Sequence, residues 1–478
     1  MTHLEKQLKH YFNYDHFRLG QKEAIKAAIS GESSLVMLPT GTGKSLCYQL
    51  SGYINQSLTL IVSPLISLMM DQVFLLKQQG EKKVAALTSF QNRQEKNYIL
   101  NNLKEYKFIY LSPEMLFQDY VLDKLRQENI GLFVVDEAHC ISQWGMDFRP
   151  EYLMLGDIRR RLDYPTTMAL TATANQSVRK DIQNSLFPES DDQVKEIFYT
   201  VDRPNIKYSV RQLARGNKKE CVLELVDSLK GPGIIYFSSK KKADEVAEYI
   251  QNTTELHVQS YHSDLDADDR YKIQLQFDKN RLDIVCATSA FGMGINKSDI
   301  RYIIHYHLPA SPEMYLQETG RAGRDGEDSL AVLLYEKGDE SIHHYFHQDE
   351  YIDKANIYRI YQAGKQPLKD APPNHWMVYF LKQRGHSVEE INLKVQERQI
   401  NKTRQLGMML RYIATNGCRR AFLLAYFEEK VKKELPLCCD YCEPNLIEKF
   451  ISFKNTGNEK ADEVPDSWKK ILSALFNK

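Results

Sequence analysis

The chain has 478 residues, 42% of them hydrophobic and 26% charged, which leaves room for roughly three domains, each with a core of its own. Lysines plus arginines number 63, as do aspartates plus glutamates, so net charge points to no polyanionic partner and any nucleic-acid surface must come from segregated charge. No apolar run approaches the roughly 18 residues of a membrane span, and Met1-Thr2-His3-Leu4-Glu5-Lys6 puts no apolar segment behind a basic one, so we expect no secretory leader and a cytoplasmic location.

The first half of the chain has apolar runs at 34–38, 58–62, 107–111, 131–135 and 167–170, separated by helical patterns. That alternation predicts a parallel sheet. The first run leads into Pro39-Thr40-Gly41-Thr42-Gly43-Lys44-Ser45, and a helix-compatible stretch follows from Leu46. This is the pattern of a phosphate-binding loop: Thr40 to Gly43 can wrap backbone N–H groups around a polyphosphate, Lys44 can reach its terminal charges, and the Ser45 hydroxyl can ligate Mg²⁺. Where the strict pattern carries a further glycine, this chain has Leu38 and Pro39.

The other runs end in small polar groups: Ser63-Pro64, Ser112-Pro113, Asp136-Glu137 and Thr171-Ala172-Thr173. Ligands of open α/β sheets bind off these C-terminal edges, so the endings should line one surface. Asp136 at such an edge can hold the Mg²⁺ of a nucleotide, and Glu137 beside it can orient and deprotonate water. Hydrolysis is the expected reaction.

A second series of runs follows at 233–237, 256–261, 283–287, 300–306 and 329–335, with helices at 240–251, 266–277 and 312–319. It predicts a second α/β domain without a phosphate loop, facing the first. Its segment Gln317 to Gly326 carries Arg321 and Arg324 three apart, spaced to share one face. A phosphoryl group in flight needs cations around it, and these two can reach it from across a cleft. The basic clusters Arg159 to Arg161, Lys240 to Lys242 and Lys430 to Lys433 read as solvated faces.

The cysteines divide into two sets. Cys47, Cys140, Cys221 and Cys286 are scattered and read as small core residues, whereas Cys418, Cys438, Cys439 and Cys442 crowd the last quarter. In a cytosolic chain that crowding points to zinc rather than disulfides. Coordination by all four, by three with another ligand, or no metal at all stay open on spacing alone.

Taken together, Ser63 to Leu68, Asp136-Glu137-Ala138-His139, Thr171-Ala172-Thr173 and Gln317 to Arg324 resemble the helicase motifs of superfamily two. More narrowly, Phe17-Arg18-Leu19-Gly20-Gln21, Cys140 to Gly145, Phe148 to Tyr152 and Phe291 to Lys297 resemble the RecQ DNA helicases, over about residues 8 to 335 and again near Ile413 to Cys442. The resemblance implies two tandem RecA-like parallel α/β domains, at 1–198 and 199–338, plus a mainly helical zinc-binding subdomain at 339–445 and a short charged tail at 446–478.

It also implies roles. Tyr14, Arg18 and Gln21 fall on the family's adenine-recognition motif, which makes ATP the expected nucleotide. Lys44, Ser45, Asp136, Glu137, Gln317, Arg321 and Arg324 match its hydrolytic residues. Ser63, Pro64, Ser112, His262, Thr288 and Met293 fall at DNA-facing positions. Residues 140–152 match the aromatic-rich loop that couples single-stranded DNA to hydrolysis, where Trp144 and Phe148 offer faces for base stacking and Arg149 a cation. A histidine is usual at position 146, and here it is Met146, which can pack on a ring but donates no hydrogen bond. The family places one zinc ligand at Cys418, and the others must then be Cys438, Cys439 and Cys442.

The implied activity is an ATP-dependent DNA helicase moving 3′ to 5′ on single-stranded DNA in repair and recombination. Its partners would be single-stranded and partly duplex DNA and a single-stranded-DNA-binding protein, with no membrane and a monomeric state. Two alternatives stay open: a DNA-stimulated ATPase that clamps or remodels nucleic acid with poor unwinding, and an RNA helicase of the same superfamily. The segment 340–405, broken by Pro367, Pro372 and Pro373, reads as extra helical pieces. Only 36 residues follow Cys442, too few for the family's winged helix and terminal helical domain.

Overall fold

The computed structural model describes residues 2–142, 150–188, 194–292, 297–344, 352–368, 371–431 and 435–457. Seven strands form the first sheet: β1 (Ser34–Met37), β2 (Leu58–Val62), β3 (Val84–Leu87), β4 (Phe108–Leu111), β5 (Ile130–Val135), β6 (Thr167–Thr171) and β7 (Lys195–Phe198). They are parallel and lie in the order β3-β4-β2-β5-β6-β1-β7. Every residue of β1, β2 and β4 is buried, as a parallel strand covered by helices on both faces requires.

This order decides where the chemistry sits. β5 and β1 are the two neighbours of β6, so the loop after β1 and the acids after β5 leave the same sheet edge about 10 Å apart.

The second sheet is also parallel, built from β8 (Ile206–Leu213), β9 (Gly233–Tyr236), β10 (Val258–Tyr261), β11 (Ile284–Ala287), β12 (Tyr302–His305) and β13 (Ser329–Glu336) in the order β10-β11-β9-β12-β13-β8. All ten predicted runs contain a strand. Three strands were not among them. β3 is only Val-Ala-Ala-Leu. β7 and β8 lie at sheet edges and mix polar with apolar residues instead of forming a continuous run.

Segment 340–405 folds into helices Lys354–Ala363 and Pro373–Gln383 and most of Val388–Ala414. They lean on the first sheet's unit, with Phe117 and Phe380 at 5.6 Å between ring centroids and Arg384 Nη1 donating to Leu153 O at 3.1 Å. Beyond the cysteines, 446–478 begins with helix Leu446–Gly457, whose Leu446, Ile447 and Phe450 join the core cluster of Val222, Leu225 and Val226.

The two sheets' units also meet through helices Ile66–Gln78 and Ala267–Asp278. Burial, reinforced by Asp278, raises the Asp71 carboxyl from 3.8 to about 6, and a hydrogen bond from Gln274 opposes the rise only in part. A carboxyl whose folded pKa is raised binds its proton more firmly in the fold. Stability is therefore lost as pH rises from about 4 to about 6, and the cost is complete above that. Asp71→Asn should raise the melting temperature at pH 8 by about 2 °C, corresponding to about 1 kcal/mol for a partly solvated carboxyl. Scans from pH 8 down to pH 5 should show the gain shrinking. An equal gain at every pH would assign it to something other than this ionisation.

Candidate nucleotide and metal sites

The loop after β1 turns through two left-handed glycines, Gly41 at φ +81° and Gly43 at φ +77°, where a side chain would be strained. Gly43 caps helix Lys44–Asn55, so the loop's N–H groups meet a helix N-terminus. Thr42 Oγ1 donates to Pro39 O at 2.7 Å and tightens the turn. Lys44 Nζ lies 3.5 Å from Leu38 O. Burial lowers its pKa, while Glu137 and Asp136 act in the other direction.

Asp136 is 9% exposed, and its carboxyl is pushed up to about 7 by burial first and by Glu137 second, with Lys44 opposing. Its Oδ1 accepts from the Glu137 N–H at 3.0 Å. Tyr152 OH donates to Asp136 O at 3.1 Å. Glu137 itself is left-handed at φ +49°, a conformation that costs a non-glycine residue on the order of 1 kcal/mol or more and tends to accompany function. Its Oε2 is buried, with no hydrogen-bond donor and with His139 Nδ1 at 3.4 Å. His139 Nδ1 is also 3.0 Å from Thr171 Oγ1 at the end of β6. Burial lowers the imidazole's pKa, which favours its neutral form.

The second unit closes over this edge. Thr40 Oγ1 donates to Gly320 O at 2.9 Å, and a Cβ added at Gly41 would stand 2.9 Å from Arg324 Cγ. Arg324 is pushed down to about 10, by burial first and then by Arg321 and Arg203, with Glu137 among the groups acting against this. Arg321 is 5% exposed and donates Nη1 to Gly292 O. Gln317 is partly buried on helix Pro312–Thr319, one turn before these arginines. Lys44, Asp136, Glu137, Arg321 and Arg324 therefore share one interdomain cleft.

The structure ties Arg18 and Gln21 to the loop itself. Gln21 Nε2 donates to Thr42 O at 2.7 Å and Gly43 O at 3.2 Å, its Oε1 accepts from Arg18 N at 2.8 Å, and the Arg18 guanidinium donates to Gly41 O. Tyr14 is 56% exposed beside them in sequence. Sequence reasoning missed Arg203, and it placed Tyr152 in the loop 140–152 without its bond to the Asp136 carbonyl. The Arg203 guanidinium bonds both to Thr40 and to the Gly320–Gly323 backbone. Its partners are main-chain carbonyls, so no spacing of side chains could have marked it.

Ser63, Pro64 and Ser112 follow β2 and β4, and His262 and Thr288 follow β10 and β11. All five are buried, and His262 Nε2 lies 3.0 Å from Asp244 Oδ1. Trp144, Met146, Phe148, Arg149 and Met293 lie outside the described residues.

The four C-terminal cysteines converge. Cys418 and Cys438 sulfurs are 3.6 Å apart, Cys439 and Cys418 3.8 Å, and Cys439 and Cys442 3.5 Å, with all four sulfurs within 4.8 Å of one another. Those separations exceed a disulfide's roughly 2 Å. They match the sulfur–sulfur edge of about 3.8 Å for a tetrahedron with metal–sulfur bonds of about 2.3 Å. Arg419 N and Arg420 Nε donate to the Cys439 and Cys438 sulfurs at 3.3 and 3.4 Å, as bound thiolates require. The adjacent pair Cys438-Cys439 thus fits a four-thiolate zinc site. Because such a site contributes folding energy directly, strong chelation or Cys439→Ser should melt the region 340–445 while the seven-stranded sheet persists. Calorimetry with metal analysis checks this, and a zinc content near zero in protein purified without chelators would remove the metal.

Comparison with known proteins gives matches in the same places. Residues 18–182 match the DEAD/DEAH box helicase family, 217–326 the helicase conserved C-terminal domain, and 377–443 the RecQ zinc-binding family. The chain is 41% identical to the probable ATP-dependent DNA helicase RecS of Bacillus subtilis, covering 100% of this chain and 98% of that protein. It is 36% identical to the ATP-dependent DNA helicase RecQ of Bacillus subtilis, covering 91% of this chain and 65% of that one. Against RecQ of Pasteurella multocida it is 42% identical, over 69% of this chain and 51% of that one. The chain thus spans about half to two thirds of these RecQ relatives and nearly all of RecS. Among solved structures, Mss116p bound to single-stranded RNA and AMP-PNP superposes with a TM-score of 0.61 at 15% identity, covering 89% of each chain. MrfA bound to DNA and AMPPNP does so with 0.60 at 17%, covering 73% of this chain and 53% of that one. At such identities the likeness shows the fold alone.

Proposed function

We propose that this chain, which belongs to the RecQ family of ATP-dependent DNA helicases, moves 3′ to 5′ along single-stranded DNA in DNA repair and recombination, as a cytoplasmic monomer working beside a single-stranded-DNA-binding protein. The observation that carries the reading is the single cleft in which the phosphate loop and paired acids of one sheet face the arginines of the other.

In this reading ATP lies between the units, its phosphates on the Thr40–Ser45 loop and Lys44. Asp136 and the Ser45 hydroxyl hold Mg²⁺. The donor set suits it, because the buried Asp136 carboxyl carries a second carboxylate beside it and lacks a cation strong enough to hold its pKa down. The metal supplies neutralisation of the phosphate oxygens. Glu137, whose Oε2 has no hydrogen-bond donor, takes the proton of the attacking water, and Gln317 helps position that water. Arg321 and Arg324 offset the charge that develops on the transferred group. Tyr14 and Arg18 hold the base, and Gln21 reads it with the hydrogen-bonding capacity left over from the loop. DNA crosses the C-terminal edges of both sheets. Closure on ATP and opening after hydrolysis then shift the two units along the strand.

Duplexes with a single-stranded tail at one end test the polarity. Unwinding of the 3′-tailed duplex alone is expected, and unwinding of the 5′-tailed one alone would overturn it. ATPase assays with single-stranded DNA, duplex DNA and RNA as separate activators separate a DNA enzyme from an RNA one. The coupling loop has its own test. Trp144→Ala should leave basal turnover and nucleotide binding intact and remove most stimulation by single-stranded DNA, since stacking is worth about 1–3 kcal/mol per base. Unchanged stimulation would reduce the loop to a connection between strands.

A further inference from the structure

The passage from β7 to β8 is the connection between the two sheets, and Arg203 stands in the middle of it. Its guanidinium gathers acceptors from both sides of the cleft. Nη1 donates to Thr40 O at 2.9 Å and to Gly320 O at 3.1 Å, and Nη2 to Ala322 O at 3.1 Å and Gly323 O at 2.6 Å. Thr40 belongs to the phosphate loop, and Gly320 to Gly323 flank Arg321 and lead into Arg324.

Arg203 is itself held from the cysteine subdomain. Arg420, 1% exposed, donates Nη1 to Arg203 O at 3.0 Å and to the Asp202 carboxylate, Nη2 to Ile206 O and, at 3.5 Å, to Pro204 O, and Nε to Cys438 Sγ at 3.4 Å. One buried side chain thus joins the four-thiol cluster to the backbone on which Arg203 is mounted. No mechanism described above uses either arginine.

We infer that Arg203 is a positioning residue for ATP hydrolysis, a clasp that sets the phosphate loop against the arginine-bearing segment and takes its own register from the cysteine cluster through Arg420. The inference rests on the roles proposed for Arg321 and Arg324. A planar guanidinium can meet several carbonyls at fixed angles, whereas an ammonium is a point charge on a flexible stem. Thr40 belongs to one unit and Gly320 to Gly323 to the other, so the single guanidinium can meet both sets of carbonyls only while the cleft is closed. Closure must bring Arg324 to the transferred group within a fraction of an ångström, and a misplacement of about 1 Å can cost about 100-fold in rate.

The test is steady-state ATPase on the full chain, with DNA and without. Arg203→Gln should lower kcat about 10- to 100-fold and leave the affinity for a non-hydrolysable ATP analogue within about threefold, with zinc content and melting temperature unchanged. Arg203→Lys should fall between the two, because charge without the fork restores part of the clasp. Asp202→Asn, which loosens Arg420's hold without touching the cleft, should lower kcat more mildly. Combined with Arg203→Gln it should add nothing. Normal kcat in Arg203→Gln, or a loss confined to nucleotide affinity, would overturn the clasp. Independent, multiplying effects of the two substitutions would overturn its link to the cysteine cluster. Near-normal turnover in Arg324→Ala alongside a slow Arg203→Gln would fault the finger assignment instead and leave the clasp standing.

Discussion

Lys44→Ala and Glu137→Gln are each expected to reduce ATP turnover by about 10³-fold or more, by different routes that a binding measurement separates. Lys44 starts the helix capped by Gly43, within the field of both acids, and on the function proposed above its ammonium would contact the phosphates in the ground state and the transition state alike. Alanine there should weaken nucleotide binding along with turnover. Glu137→Gln removes a proton acceptor and keeps the side chain's shape. It also removes the charge that helps hold the Asp136 carboxyl near 7, so Asp136 ionises more readily and Mg²⁺–ATP should bind at least as well as before. Fluorescent nucleotide titration should therefore show binding surviving in Glu137→Gln alone. Near-normal turnover in either variant would sink the assignment of the site.

Arg324→Ala should lower maximal turnover by about 10³-fold with little change in ATP affinity, since a cation brought up by the opposite unit acts on charge that appears only during transfer. The aliphatic stem of Arg324 packs beside Gly41, and its charge shares a neighbourhood with Arg321 and Arg203. Crowding three cations is unfavourable until an anion arrives, and this arrangement favours polyphosphate over water. Arg321→Ala should follow in direction with a smaller loss, because Nη1 of Arg321 is already engaged by the Gly292 carbonyl and less of its guanidinium is left for the transferred group. Changes confined to the Michaelis constant in both variants would make these arginines ground-state binders.

The sheet edges explain how much could be read from the sequence. β1 and β5 were legible because each ends in a buried apolar run, Leu35 to Leu38 and Leu132 to Val135, stopped by residues that do not continue it, Pro39 in one case and the acid pair Asp136-Glu137 in the other. At the β7 and β8 edges the strands are partly exposed and the run breaks up. Ile-Lys-Tyr-Ser-Val-Arg-Gln-Leu of β8 and Lys-Glu-Ile-Phe of β7 therefore carry no comparable signal. Side-chain chemistry was legible wherever the type itself is diagnostic, as with a lysine after two glycines or four clustered thiols. Contacts to main-chain atoms were not, since every residue offers the same carbonyl. For that reason Gln21 could be marked for a base but not for the loop it grips, and Arg203 could not be marked at all.

The cysteine turn also covers an edge. Tyr208 on β8 pairs in parallel with Cys439, the Tyr208 N–H donating to Cys438 O at 3.4 Å and its carbonyl accepting from Asp440 N at 3.0 Å, while Val210 N donates to the Asp440 carboxylate at 2.7 Å. β8 is the outermost strand of its sheet, and a bare outer strand is a template on which a second chain can add. The thiol cluster holds in place the short stretch that blocks this addition. Oxidising or stripping those sulfurs would therefore do more than soften one corner of the fold, because each molecule would acquire a free strand edge able to hydrogen-bond to the same edge of another.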